Sequence, residues 1–145
     1  MKDKKVYIHL GTPVLKDIEP IENRALPPSI NKPWGGFWAC QYQPENVYRS
    51  EWEAWCEFEG YAAYSEKDEI KFTLRESARV LYIHSKEDYE AIPPQYKAEP
   101  FLNWGTLAED YDAVEVYVHS SARKWFQGWD VDSIVVFRKE AIELL

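Results

Sequence analysis

The sequence predicts a single domain of the α+β class over residues 1–145, and three observations carry that expectation. A length of 145 residues suits one domain of ordinary size. Short runs with period-two alternation, Val6-Ile8-Leu10, Ile70-Phe72-Leu74 and Val114-Val116-Val118, read as half-buried strands. Among them, Ser50-Glu51-Trp52-Glu53 places a serine three residues ahead of a glutamate, a capping box that starts a helix.

The elements follow in order. A first strand from Val6 to Leu10 ends at Gly11-Thr12-Pro13, with His9 on the face opposite Val6. Residues 17–36 carry Pro20, Pro27, Pro28 and Pro33 and close with Trp34-Gly35-Gly36, which predicts a long irregular loop of the kind that often carries function. Phe37 to Cys40 is a second short strand. The helix from Ser50 to about Glu59 places Trp52, Trp55 and Cys56 at i, i+3 and i+4, with its glutamates toward solvent, outside any cleft. Ile70–Leu74 and Val80–His84 are strands expected to pair or neighbour each other. A short helix begins at Ser85 and must stop before Pro93-Pro94, and a third runs from about Asn103 to Glu109. Val114–Val118 puts Glu115, Tyr117 and His119 on its polar face, and Ile134–Phe137 reads as a buried final strand.

Composition removes several functions. Apolar residues make up 46% of the chain, enough for a core, which excludes whole-chain disorder. Against 25 acidic residues stand 17 lysines and arginines, a net charge of −8 that disfavours a general phosphate-backbone binder. The apolar runs are too short for a signal peptide or a membrane span, so a cytoplasmic protein with no membrane contact is expected. Cys40 and Cys56 are too few for a disulfide framework, and His9, His84 and His119 are not at metal-ligand spacing, so no metal site is expected. Phosphate-loop, nucleophile-elbow and dinucleotide Gly-x-Gly-x-x-Gly motifs do not occur.

Three constellations remain. Trp34-Gly35-Gly36-Phe37-Trp38 combines glycines that admit close backbone approach with flat stacking faces; a tight turn beside a core tryptophan would look the same. His9, Gly11 and Thr12 bring an imidazole, a bare amide and a hydroxyl to one strand end. Asp130, Asp132 and Ser133 crowd the start of the last strand, and carboxylates there, or Glu115 on the strand before, can stabilise a developing cation.

Taken in order, these pieces resemble the ADP-ribosyltransferase superfamily, in particular its small bacterial and phage-encoded toxin-like members. Val6 to Thr12 looks like the family's first strand with its His-Gly-Thr ending, and Lys32-Pro33-Trp34-Gly35-Gly36-Phe37-Trp38-Ala39-Cys40 looks like its Gly-Gly-Leu-Trp-Ala-Ser element. Tyr111 to Val116 is similar to the Tyr-Asp-Gly-Ile-x-Val segment, and Asp132 to Phe137 with Ala141-Ile142 to the closing Glu-x-Val-Val-Phe strand. The resemblance implies a split β-sandwich with a few short helices, whose cleft holds NAD as substrate. His9, Gly11, Thr12 and Gly36 would position it, Trp38 or Trp34 would stack on the nicotinamide, and Asp132 or Glu115 would be the essential carboxylate, with His9 beside it. It also implies a macromolecular acceptor, protein or nucleic acid, and the possibility of a neutralising partner. This chain departs from the pattern at Leu10, which separates His9 from Gly11, at Cys40 in place of serine, and at Ser133 where the family carries its catalytic glutamate. The alternative is a non-catalytic acidic inhibitor or interaction protein on a degenerate transferase fold, suggested by the four glutamates among Trp52, Trp55 and Phe58.

Overall fold

The computed structural model describes residues 4–12, 14–23, 31–60, 68–98, 101–126 and 128–145. Its regular elements are β1 (Tyr7–Leu10), β2 (Phe37–Gln41), α1 (Glu51–Glu59), β3 (Glu69–Leu74), β4 (Val80–Ile83), α2 (Lys86–Glu90), β5 (Lys97–Ala98), β6 (Phe101–Leu102), α3 (Trp104–Asp110), β7 (Ala113–Val116), β8 (Ser133–Val136) and β9 (Ile142–Leu144). This is an α+β arrangement. Each helix starts where a side chain caps it: Ser50 accepts from the Glu53 amide, Ser85 from the Asp88 amide and Asn103 from the Thr106 amide. In α1 the return bond of the box goes one residue early, from the Arg49 amide to the Glu53 carboxylate at 3.1 Å.

Among the described residues, seven strands form one sheet in the order β4-β7-β8-β2-β1-β3-β9, and β5 and β6 form a small ladder of their own. All neighbours in the large sheet are antiparallel except β4 and β7, whose parallel pairing is made possible by the long crossover through α2, β5, β6 and α3. The expectation that β3 and β4 pair or neighbour is therefore corrected: β3 lies between β1 and β9, and β4 forms the opposite edge. The three-residue β9 and two-residue β5 and β6 are too short to leave a periodic signal.

The sheet is curled. Tyr7 on β1 donates its hydroxyl to Glu115 on β7 at 2.6 Å, although two strands intervene and a flat sheet would hold β1 and β7 roughly 14 Å apart. Inside the curl lie Tyr7, Phe37, Phe72, Ala113, Ile134 and Val136; the alternate residues Val114, Val116 and Val135 pack outward under Tyr89, Trp104, Leu107 and Trp129.

The sheet is also split at one seam. β1 pairs with β3 from Tyr7 to Leu10, and β2 pairs with β8 from Phe37 to Ala39, but β1 and β2 pair at Tyr7↔Gln41 and Ile8↔Cys40 and then part. Two well-paired halves thus diverge beyond Ile8 and Cys40.

α1 buries Cys56 and half-buries Trp52 and Trp55 as expected, with Glu57 and Glu59 exposed, and departs from the expected orientation at Glu53. Glu53 is buried, because Arg49 binds both it and Glu69 at 2.8 Å, while Phe58 at the far end is 88% exposed. No helix among the described residues is long and apolar enough to cross a membrane.

Candidate functional site

The parting of β1 and β2 opens a cavity of about 280 Å³. His9 stands at the parting. Its Nδ1 donates to the Trp38 carbonyl at 2.5 Å, a bond that only the Nδ1–H tautomer can make because a carbonyl cannot donate. Its ring stacks on Phe37 with centroids 4.2 Å apart. Burial lowers the His9 pKa, against the smaller opposing effect of the Trp38 bond, so the ring is held neutral and Nε2 keeps a lone pair for an incoming donor.

Three tryptophans form the walls: Trp38, Trp52 of α1 and Trp129. Trp38 is locked by its indole N–H on the Gly35 carbonyl at 2.9 Å and by an edge contact with Trp129 at 4.8 Å. Lys32 Nζ lies 5.1 Å from the Trp38 ring centre, and Asp130 and Ser133 complete the polar lining. The loop that carries Lys32 is anchored by buried Asn31, which accepts from the Leu102 amide and the Trp104 indole and whose carbonyl accepts from the Trp129 indole. An aromatic cavity with a few fixed polar groups is the usual form of a small-molecule site.

Ser133 also lines a second, polar pocket of about 190 Å³, together with Gln41, Gln43, Glu51, Glu115, Tyr117 and Asp132. Here Glu51, the first residue of α1, meets Asp132 at the head of β8. Burial, followed by the Asp132 charge, raises the Glu51 pKa. His119 faces the pair, with its amide on Asp132 at 3.0 Å and its Nε2 3.3 Å from Glu51. One ligand atom from each of Glu51, His119 and Asp132 falls within 4.8 Å of the others, a grouping that chain spacing could not reveal. The same acids reach the first cavity: burial pushes the Cys40 thiol up to about 12, and the charges of Glu51 and Asp132 add to that.

Glu115 has a different setting. It is 2% exposed, and its carboxylate accepts from Lys5 Nζ at 2.8 Å, from the Tyr7 hydroxyl at 2.6 Å and from His84 Nε2 at 2.7 Å. Lys5 also reaches the Tyr117 hydroxyl, and His84 stacks on the Tyr117 ring at 3.6 Å. Burial pulls Lys5 down, but its bonds to Glu115 and Tyr117 outweigh this and leave it raised. Burial and the Glu115 charge push Tyr7 up, so its hydroxyl stays a donor.

Of the residues singled out in the sequence, His9 and Trp38 line the first cavity, Glu115 and Asp132 line the second, and Ser133 joins the two. Gly11, Thr12, Trp34 and Gly36 line neither. Gly36, at φ 82, has Val135 Cγ2 where a Cβ would stand only 2.4 Å away, and at Gly35 the corresponding neighbour is the Pro20 carbonyl at 2.0 Å. The glycine pair thus lets the chain approach itself. Gly11 sits at φ 121 and donates its amide to the Asp68 carbonyl. The expectation that α1 stands outside the cleft is corrected, since Glu51 and Trp52 line its two chambers. Sequence reasoning also passed over Lys32, Trp129 and His119. Only Ser50 hinted at the first correction, because a fixed cap fixes the direction of the residue after it.

Compared with protein-family models, with curated proteins and with solved structures, the chain matches none of them.

Proposed function

We propose that the split of the sheet is an NAD site and that the chain transfers ADP-ribose from NAD to a macromolecular acceptor. The observation that carries this reading is the proximity of the two chambers: an aromatic cavity headed by a tautomer-fixed His9 and a pocket of carboxyl groups share Ser133 in their linings. Further support comes from the adjacency of β7, β8, β2 and β1, which bear the four motif segments of the resemblance.

The roles follow from the chemistry. Trp38, held by Gly35 and Trp129, offers a rigid face to the nicotinamide ring, and the His9 Nε2 lone pair accepts from a ribose hydroxyl. When the bond from C1′ to nicotinamide breaks, the pair of electrons leaves with nicotinamide and positive charge develops on the ribose. A fixed carboxylate beside it lowers the barrier. Asp132 suits that role better than Glu115, whose two oxygens are already engaged by Lys5, Tyr7 and His84. With Ser133 in the glutamate's place, the charge comes from the residue before it, in the lining of the polar pocket.

The test is to incubate the purified protein with labelled NAD and a bacterial lysate, with and without nuclease or protease, and to follow both label transfer and nicotinamide release. Transfer removed by one of the two treatments identifies the acceptor class. If neither transfer nor release occurs with any lysate, the reading fails.

One observation favours the second reading, a non-catalytic interaction protein. Phe58 is 88% and Val47 93% exposed, at opposite ends of the acidic α1 region, and apolar side chains among carboxylates suit a basic partner surface. Phe58→Ser and Val47→Ser would then abolish capture of that partner without affecting NAD consumption.

A further inference from the structure

The charges around the two chambers are one-sided. The chain carries a net charge of −8, and Glu51, Glu115 and Asp132 line the polar pocket while Asp130 lines the aromatic cavity. Among the described residues, Lys32 is the only lysine or arginine in either lining. Its backbone is held from both sides. Asn31 before it is 2% exposed; its Oδ1 accepts from the Leu102 amide at 2.9 Å and the Trp104 indole at 3.2 Å, and its Nδ2 donates to the Trp125 carbonyl at 3.0 Å. Pro33 after it is buried, with φ fixed by its ring. The half-buried Lys32 side chain is thus delivered to the cavity wall, where Nζ stands over the Trp38 ring, 5.1 Å from its centre.

We propose that Lys32 makes this cavity select a dinucleotide over its phosphate-free nucleoside: the ammonium yields the Trp38 face to the nicotinamide ring and pairs with the ligand's diphosphate; this rests on the NAD reading above. The nicotinamide of NAD is itself positively charged, so one cation replaces another over the same indole and the attraction to the ring is kept. A cavity of about 280 Å³ lies just under the usual range for enclosing a whole ligand of drug size, so the larger dinucleotide keeps its diphosphate toward the opening. Two negative charges placed among these acids bind poorly unless a cation compensates them. A lysine suits the exchange, because its ammonium is a compact point charge with three donors on a flexible four-carbon stem.

The neighbouring basic groups do not supply this charge. His9 offers its Nε2 as an acceptor, since its Nδ1 donates to the Trp38 carbonyl. Lys5 is bound to Glu115 and to the Tyr117 hydroxyl. Recognition therefore divides along the ligand: Trp38 and His9 meet the nicotinamide and its ribose, and Lys32 meets the charge that only the phosphorylated ligand carries. Lys32 takes part in no bond change; it decides which ligand the cavity holds.

The experiment is calorimetric titration of the full chain with NAD and with nicotinamide riboside, for wild type, Lys32→Gln and Lys32→Arg, after far-ultraviolet dichroism and thermal melting show the variants folded. Wild type should bind NAD at least about 10-fold more tightly than nicotinamide riboside, and equal affinities overturn the inference without any variant. Lys32→Gln is expected to weaken NAD by about 10-fold or more, the usual loss when a hydrogen bond to a charged group is removed, and to leave nicotinamide riboside within about twofold. Lys32→Arg keeps the charge and should stay within about threefold of wild type for NAD. The NAD affinity of wild type should fall as salt rises, and more steeply than that of Lys32→Gln. Lys32→Gln with wild-type affinity for NAD overturns the inference and leaves the NAD reading standing. Equal weakening of both ligands overturns it as well, assigning Lys32 to the support of Trp38. Wild type that binds neither ligand overturns the inference and the NAD reading together.

Discussion

Two acids that line one pocket show how differently this fold treats a carboxylate. Glu115, placed by β7 deep in the curl of the sheet, is surrounded by Lys5, Tyr7 and His84, and both oxygens are engaged. Glu51, placed by the first turn of α1, meets another acid and a partly exposed histidine. A buried charge with matched donors is a component of the scaffold, because its desolvation is offset on the spot. Two carboxyls forced together lack that compensation, and such uncompensated groups are where chemistry concentrates. Although Glu115 was the more prominent acid in the sequence, standing on a well-formed strand, its environment commits it to holding β1 against β7.

The comparison is broken most directly at Glu115. Glu115→Ala removes the partner of Lys5, Tyr7 and His84 together and should cost about 3–5 kcal/mol of stability, the usual loss when one member of a buried ionic network is deleted. Urea denaturation measures it, and a loss under about 1 kcal/mol would mean that the network is not scaffold. His9 extends the same logic to a base. Its pKa is lowered by burial, so its contribution to stability is present above the ordinary value of 6.5 and is lost as pH falls through its depressed folded value. Wild type should lose stability below pH 6.5, by at most about 1.4 kcal/mol per pH unit for a single proton, and His9→Gln should remove that slope. Ser50→Ala sharpens the other side. Losing the cap should cost about 1 kcal/mol by denaturation.

These outcomes also show what the sequence made legible. The α+β class, the three main helices and their caps followed from local signals, since Ser50, Ser85 and Asn103 act within three residues of where they stand. The strands of the large sheet were visible wherever alternation ran for four residues or more. Pairing was not: β4 joins β7 through a crossover and β3 joins β9, and both depend on how the chain returns rather than on local pattern. At the site, His9 and Trp38 were legible because they end or begin well-formed strands. Glu51 was not, because the capping box that locates it also explains it as an ordinary first-turn acid, and only the approach of Asp132 from 81 residues further along gives it another partner. Glu115 was visible as a residue but not in its role, since Lys5 and Tyr7 reach it from the first strand and its lead-in and His84 from the end of β4.

The smallest expected effect concerns Glu51 in the resting protein. Its folded pKa is raised above the ordinary 4.5, by burial first and then by the charge of Asp132. A raised carboxyl favours folding most fully below its unfolded value, and that advantage is lost as pH rises through the folded value. Wild type should therefore lose stability relative to Glu51→Gln on going from pH 4 to pH 7. The difference should stay below about 1 kcal/mol, since the side chain remains 34% exposed and solvent screens the pair. Paired urea titrations of the two proteins across that range isolate the effect from every other titrating group. His119 opposes the shift, so His119→Gln should raise Glu51 further and enlarge the loss. A difference that stays flat with pH, or that grows in favour of wild type, would mean that the charge of Asp132 does not act on Glu51. The contrast with Glu115 would then be one of burial alone.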